Sequence, residues 1–533
     1  MLQEKIMASE PIWMNTLLDP SSYPHRVEEV SLVQTHISWV FIAGDRVYKI
    51  KKPVDFGFLD FTTLEKRRHF CSEELRLNRR LCPEIYLDVW PVTSDNGKIA
   101  INGTGRTVEW CVVMKRMPED GMMARLIRRD LIGRNDADMI IDRLVPFYRA
   151  SPRKKEVDQM GSLEIIRQNT EENFDQTVSF TDRIMEKSFF DRISQYTRSF
   201  IRDKETLFRD RVDQGWIKEG HGDLYSANIC FDRADNKVYI FDCIEFNRRF
   251  RSGDVASDVA FLAMDLDFHG LPVLSRYFID SFSSRMDDPD LPALMEFYKC
   301  YRAYVRGKIG CFTWASDGLA PEIKADAGKQ AREYFRLAMN YAGGFRKRPV
   351  LYCFFGLSGT GKTTIASAWA ERHHLAIYNS DRVRKELVAG ISAEEHRLEP
   401  FGHGLYGAEQ TERTYRALAR FAGRHLMQGE SVVLDATYTD QSKRKRLVEL
   451  AECAGADLRF ILATCPEDEI KKRLEHRIKQ ENQVSDGRWE IYLKQKEVFA
   501  PVSHTGQALI ELSTERPVPE ILERLDSLLG KHE

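Results

Sequence analysis

Residues 350–363 read VLYCFFGLSGTGKT, and this stretch decides the architecture of the C-terminal part of the chain. Val350–Phe355 has the length and apolar content of a buried strand. Gly356-Leu357-Ser358-Gly359-Thr360-Gly361-Lys362-Thr363 then fits GxxxxGK[ST] without a mismatch and runs through Thr364 into a predicted helix ending at Arg372. The glycines let consecutive backbone N–H groups wrap one anion, and the helix N-terminus adds positive potential. Lys362 is the predicted cation for the outer phosphates of ATP, and the Thr363 hydroxyl is predicted to complete a Mg²⁺ shell.

Downstream, Ser380-Asp381-Arg382-Val383-Arg384 sits at a strand-to-helix junction, a spacing that puts Asp381 and Arg384 on one side of a helical turn. Ser431–Asp435 reads as a buried strand ending in an acid, the edge where parallel α/β sheets hold ligands. Arg473 and Arg477 lie four apart on one predicted helix. Strands alternating with helices from Val350 onward predict a parallel sheet. Over about 350–510 these features resemble the P-loop kinases (the AAA_33 and polynucleotide-kinase-like group, with gluconate-type kinases). The resemblance implies Asp381 as general base on an acceptor hydroxyl, Arg384 as acceptor anchor, Asp435 supporting metal or acceptor, and Arg473 or Arg477 as a lid arginine. The basic run Lys443–Arg446 reads as a solvated helix face rather than a nucleic-acid contact.

Before residue 341 the pattern differs. Strand-like stretches at 30–118 (His36–Ile42, Arg46–Lys51, Thr107–Lys115) surround one helix, Thr63–Leu81, with Leu64, Phe70 and Leu75 as its apolar stripe. A mostly helical region follows at 119–340. Within it, His221-Gly222-Asp223-Leu224-Tyr225-Ser226-Ala227-Asn228 matches H-x-D-x₄-N, and the strand Val238–Asp242 ends in an acid. Asp223 is a candidate base, with Asn228 and Asp242 as candidate metal ligands.

This block, with Gly253-Asp254 and Asp258, resembles the aminoglycoside phosphotransferases, kinase-like folds of two lobes; the resemblance implies that Asp258 braces the catalytic loop. Such a site needs a strand lysine paired to a helix glutamate. Lys49 and Lys51 point to one face, with Lys49 favoured, and Glu73 competes with Glu74, which is preferred. No GxGxxG precedes the lysine strand, only the Ala43-Gly44-Asp45 turn. Asp55-Phe56-Gly57 spells a kinase motif but precedes the catalytic loop, so it reads as a turn.

The expected order is therefore a 1–29 extension, a small β-rich lobe (30–118), a helical lobe (119–340), a 341–349 linker and a 350–533 P-loop domain. In fold class, an α+β kinase-like unit precedes an α/β unit with a parallel sheet. The resemblance spans 30–340 in the first unit. The whole order resembles a bacterial bifunctional family, which implies two Mg·ATP sites acting on hydroxyl acceptors. A catalytically silent N-terminal regulator and a nucleic-acid 5′-hydroxyl kinase are the alternatives.

Lys+Arg (79) nearly cancels Asp+Glu (81), and from Val350 onward the counts are 26 basic and 28 acidic, which argues against an extended nucleic-acid footprint. Ten cysteines, none at CxxC spacing, argue against a zinc ribbon or a secreted disulfide framework. The first residues lack an apolar leader core, and no run of 18 apolar residues occurs, so a cytoplasmic protein without membrane spans is expected. A polycationic acceptor would need clustered acids. Asp265, Asp267, Asp287, Asp288 and Asp290 lie in the right region but read as loop acids.

Overall fold

The computed structural model describes residues 11–345, 347–390, 404–477, 488–500 and 508–530. Its first unit begins with a six-stranded antiparallel sheet: β1 (Val30–Gln34), β2 (Ser38–Ala43), β3 (Arg46–Lys51), β4 (Tyr86–Asp95), β5 (Lys98–Ile101) and β6 (Arg106–Lys115), in the order β1-β2-β3-β6-β4-β5. One helix, α1 (Leu64–Asn78), crosses it. Residues 11–29, read as an extension, are part of this lobe: Met14, Leu17 and Tyr23 join Trp39, Phe41 and Tyr48 in its core.

Two expectations for this lobe are corrected. The buried face of α1 is not an apolar stripe; it carries Arg67, Cys71, Glu74, Leu77 and Asn78, while Leu64, Phe70 and Leu75 are only half-buried. Polar groups turn inward because buried ionic partners await them, Glu109 for Arg67 (2.8 Å) and two lysines for Glu74. The Gly44-Asp45 turn joins Ala43 to Arg46, at the opposite end of β3 from Lys49 and Lys51. The turn at the lysine end is Thr35–Ile37, without glycine, where the Thr35 hydroxyl accepts from the Ser38 N–H at 2.9 Å. Asp55-Phe56-Gly57 is a turn, closed by Gly57 N–H to Asp55 at 2.8 Å.

The large lobe is helical: α2 (Arg134–Ala150), α3 (Leu163–Thr177), α4 (Lys187–Asp203), α5 (Val255–Phe268), α6 (Pro272–Met286), α7 (Leu291–Ala315) and α8 (Pro321–Tyr341). A hairpin of β7 (Ile229–Asp232) and β8 (Lys237–Ile240) faces the small lobe. α5 is buried almost throughout, so the His221–Asn228 segment before β7 rests on a rigid base.

The second unit is a parallel sheet of β9 (Val350–Phe355), β10 (Ala376–Asn379), β11 (Val432–Asp435), β12 (Asp457–Thr464) and β13 (Ala508–Ser513), in the order β10-β11-β9-β12-β13. Its helices are α9 (Lys362–Arg372), α10 (Ala408–Met427), α11 (Gln441–Cys453), α12 (Glu467–Arg477), α13 (Trp489–Val498) and α14 (Val518–Leu529). The strands run nearly unbroken in apolar residues because both faces are covered. Lys443–Arg446 is not a solvated face: Arg444 is buried and donates to the carbonyls of Tyr438 and Ala500, and Arg446 pairs with Glu412 at 2.8 Å.

One apolar cluster runs across the 341–349 segment, from Phe261, Phe268 and Tyr334 to Leu351, Leu418 and Leu426. Asp130–Arg420 (2.6 Å), Glu333–Arg424 (2.7 Å) and Arg336–Glu430 (2.8 Å) frame it. At its centre Gly270 (φ +80°) lies against α10, where an added Cβ would stand 2.1 Å from the Arg420 carbonyl oxygen. Gly270→Ala is expected to cost about 1–3 kcal/mol through overpacking and strain, and differential scanning calorimetry of the full chain reads it as a lowered Tm. Among the described residues no helix is long and apolar enough to cross a membrane.

Candidate active sites

In the cleft between the lobes, β3 carries Lys49 and Lys51 inward. Lys49 Nζ lies 2.5 Å from Asp242 Oδ1 and 2.8 Å from Glu74 Oε1. Lys51 Nζ lies 2.7 Å from Glu74 Oε2 and also donates to Glu245. Both lysines thus meet Glu74, while Glu73 turns outward to Arg76 at 2.9 Å. Burial opposes the charge on Lys49, but Asp242 and Glu74 outweigh it and hold its pKa well above the usual lysine range. Burial likewise opposes the charge on Glu74, yet the two ammonium groups bring its pKa down to about 2. For Glu245 burial prevails, and its carboxyl is pushed up despite Lys51.

The loop His221–Asn228 is held by its surroundings. Asp258 accepts from the N–H groups of His221 (2.7 Å) and Gly222 (3.0 Å) and from the Tyr148 hydroxyl (3.0 Å). Asp265 accepts from Ser226 N–H at 3.0 Å, and Arg302 donates to the Gly222 carbonyl at 2.9 Å. Asn228 Nδ2 donates to Asp223 Oδ2 at 3.0 Å, and the Phe241 N–H donates to the Asn228 carbonyl. The hairpin therefore returns Asp242, at φ +63°, beside the loop. Burial raises the Asp223 carboxyl above its ordinary range against the pull of Arg306 and His221, which strengthens it as a proton acceptor.

In the second unit the loop 356–361 follows β9 and α9 opens at Lys362. Gly361, at φ +82°, brings the loop close to Thr514 and Arg473, whose Nη1 would lie 3.2 Å from a Cβ there. Arg473 is fixed by Thr514 Oγ1 (3.0 Å) and Glu469 (3.1 Å) and so faces the cradle; the side chain of Arg477 lies outside the described residues.

Asp435 ends β11 and is fully buried. Its Oδ2 accepts from Asn379 Nδ2 at 2.6 Å, while its Oδ1 has no hydrogen-bond partner. Burial pushes its carboxyl up, against the attraction of Lys362 and the lowering effect of the neighbouring Thr363 and Asn379 side chains. Asp381 accepts from Arg384 Nη1 at 3.1 Å, and Arg384 lies over the Tyr406 ring at 4.6 Å. Ser358 and Thr360 are buried in the loop, Thr363 and Thr364 are exposed, and Ser358 N–H donates to Gln495 Oε1 at 2.9 Å.

Sequence reading missed Asn379, which caps the turn bearing Asp381 by accepting from the Asp381 N–H at 2.9 Å; an Asn just before Ser-Asp was its signal. It also missed Gln495, Glu245 and Arg306, which no motif marks.

The residues present fit Mg²⁺. Asp435 Oδ1 is a buried carboxylate oxygen with no partner, beside Thr363. No cluster of three His, Cys, Asp or Glu side chains able to hold a metal occurs among the described residues. One buried carboxylate beside a hydroxyl suits Mg²⁺, which takes one or two carboxylates and fills its shell with phosphate and water oxygens.

A family model described as AAA domain (AAA_33) matches residues 351–502. Uncharacterized protein Rv2004c of Mycobacterium tuberculosis and uncharacterized protein Mb2027c of Mycobacterium bovis are each 31% identical over 417 residues, 78% of this chain and 80% of theirs. The chain belongs to their family. Among solved structures, a candidate aminoglycoside phosphotransferase from Ralstonia eutropha JMP134 is 15% identical, covering 63% of this chain and 97% of its own, at TM-score 0.33. A gluconokinase from Sinorhizobium meliloti 1021 is 19% identical over 36% of this chain and 99% of its own, at TM-score 0.24. Likeness at these scores carries no argument about chemistry. The AAA_33 match places the P-loop within residues 351–502, and the constellations the two units hold are those of an ATP-dependent kinase.

Proposed function

We propose that the chain is a bifunctional phosphotransferase in which two separate Mg·ATP sites deliver the γ-phosphoryl group to hydroxyl acceptors of small molecules. One observation carries this reading: Lys49, Glu74, Asp223, Asn228 and Asp242 come from four separated segments yet meet in one cleft, while a complete P-loop stands in the other unit. In the first site Lys49 orients the phosphates and Asn228 and Asp242 hold Mg²⁺. In the second, Lys362 orients them, Thr363 and Asp435 hold Mg²⁺, and Arg473 covers the transferring group. Bound Mg²⁺ neutralises the charge of the phosphate oxygens.

At either site the acceptor oxygen bonds to the γ-phosphorus as the bond from that phosphorus to the β,γ-bridging oxygen breaks. ADP leaves with the electron pair, and the hydroxyl proton passes to Asp223 or Asp381. Arg384, paired to Asp381, anchors the acceptor at the P-loop site.

The test is a metabolite extract incubated with γ-labelled ATP and the wild type, K362A, D223N or the double variant. Each single variant is expected to lose a different labelled product, with D223N reducing its own about 10²–10⁴-fold. Loss of neither product in either single variant overturns the proposal. The glycine-free Thr35–Ile37 turn favours a second reading, in which the N-terminal unit binds Mg·ATP without transferring it; D223N then changes no product. A nucleic-acid acceptor draws little support, because Arg444 and Arg446 are committed within the domain.

A further inference from the structure

We propose that the hydroxyl acceptor at the Asp223 site also carries an anionic group, a phosphate or carboxylate, and that Arg306 of α7 binds it. The inference rests on the phosphotransferase reading of that site.

Arg306 lies beside the His221–Asn228 loop, its guanidinium 4.8 Å from the Tyr225 ring and 5.5 Å from the Tyr334 ring. Tyr225 stands two residues after Asp223, and Arg306 exerts the largest charge attraction felt by the Asp223 carboxylate. Its Nε is buried without a hydrogen-bond partner, the Tyr334 hydroxyl accepts from another of its N–H groups, and no described carboxylate comes within ion-pair distance of the guanidinium. Aromatic rings beside an arginine leave its in-plane N–H groups for hydrogen bonds, and here the unpartnered Nε–H remains for a planar or tetrahedral oxyanion.

The neighbouring cation has no such freedom. Arg302, one turn earlier, is spent on the carbonyls of Gly222 and Ser257 and on Asp258. Asp223, Tyr225 and Arg306 are each only half-buried, so a ligand reaches the space between them.

Three of the five acids that a polycation could use, Asp265, Asp267 and Asp288, are already committed inside the fold. Asp265 accepts from Ser226 N–H, Asp267 is held by Lys299 (3.3 Å) and Tyr341 (2.6 Å), and Asp288 is buried against Arg211 at 2.5 Å. At the P-loop site an arginine also lies against a tyrosine ring, though there it is paired to the acid beside it. Arg384 stacks on Tyr406 beside Asp381, and its Nε too is buried and unpartnered.

The experiment uses the full chain carrying K362A, so that label arises at the Asp223 site, with γ-labelled ATP and matched acceptors. Glycerol and glycerol 3-phosphate, glucose and gluconate form the neutral and anionic pairs, and kanamycin serves as the polycation. Label is expected on an anionic member. Adding R306Q is expected to lower kcat/KM for it about 10- to 100-fold, the worth of a charge-assisted contact, mainly through the acceptor KM. R306K should recover part of the loss.

Calorimetry with inorganic sulfate on K362A holding Mg·ADP reads the same site without a hydroxyl, and R306Q is expected to weaken the binding about tenfold or more. Label on neutral or cationic acceptors with no response to R306Q overturns the inference. So does a loss confined to kcat, or sulfate binding indifferent to Arg306. If K362A binds no Mg·ATP at all, the phosphotransferase reading of the site fails instead.

Discussion

Lys362→Ala is expected to lower Mg·ATP turnover at the P-loop site about 10²–10³-fold, the worth of a preorganised charge aimed at a transferring phosphoryl group. The measurement is γ-phosphate transfer in a D223N background, which silences the other site. Lys362 opens α9 beside Asp435, a carboxylate that is fully buried and feels Lys362 as its strongest counter-charge. Removing the amine takes away the phosphate's nearest cation and leaves Asp435 with less to balance its own charge. Two consequences follow, and they are separable. Nucleotide affinity falls, read by calorimetry with Mg·ATP, and the Asp435 carboxyl moves further up, so the variant's residual activity requires a higher pH than the wild type's. Turnover within about threefold of wild type in that background would remove Lys362 from the phosphate site altogether.

The cradle was legible in the sequence because its chemistry is done by backbone. Gly361 adopts φ +82°, which L side chains rarely take, and packs tightly against Thr514 and Arg473, so the glycines fall at fixed spacing and the spacing can be read. The Asp223–Asn228 loop was legible for a related reason, since five residues are what a short loop needs to bring both side chains to hydrogen-bond distance.

What stayed hidden depends on contacts between distant segments. The inner face of α1 shows no apolar period, because Arg67 and Glu74 are buried against Glu109 and the lysines of β3, and a periodicity search discards them as solvated. Arg306 and Glu245 belong to no motif; each matters only because a helix or loop carries it to a site defined elsewhere. The junction at 341–349 marks a real change of pattern. Nothing local reveals that Phe268 and Tyr334 on one side share a core with Leu418 and Leu426 on the other.

That shared core bears on how the two sites relate. α10 packs through Gly423 on Gly270, in the turn just after α5, and α5 carries Asp258 and Asp265, which hold the Asp223 loop. Its Tyr415 reaches the other way, hydrogen-bonding Thr437 just beyond the strand that ends in Asp435. Neither the Asp223 loop nor the strand end bearing Asp435 therefore rests on a scaffold of its own unit alone.

Glu74→Ala is expected to cost about 3–5 kcal/mol, because it strips the carboxylate shared by two buried lysines. Lys49 keeps Asp242, so its charge remains balanced; Lys51 keeps only Glu245, whose carboxyl burial already pushes toward the neutral form. The penalty therefore falls chiefly on Lys51. Calorimetric unfolding of the full chain measures it, and the sign of its pH dependence is fixed. Glu74 titrates near 4.5 when unfolded and at about 2 when folded, so its contribution is whole above pH 4.5 and is lost as pH falls toward 2. The gap between wild type and E74A should thus narrow on acidification.

A paired substitution isolates the cause. Lys51→Met alone leaves Glu245 buried beside Glu74 without its cation, whereas K51M with Glu245→Leu exchanges the ion pair for apolar volume and is expected to recover most of the loss. If the double variant is no more stable than K51M, Glu245 is not what Lys51 balances, and the lysine's place in the fold must be assigned to Glu74 alone.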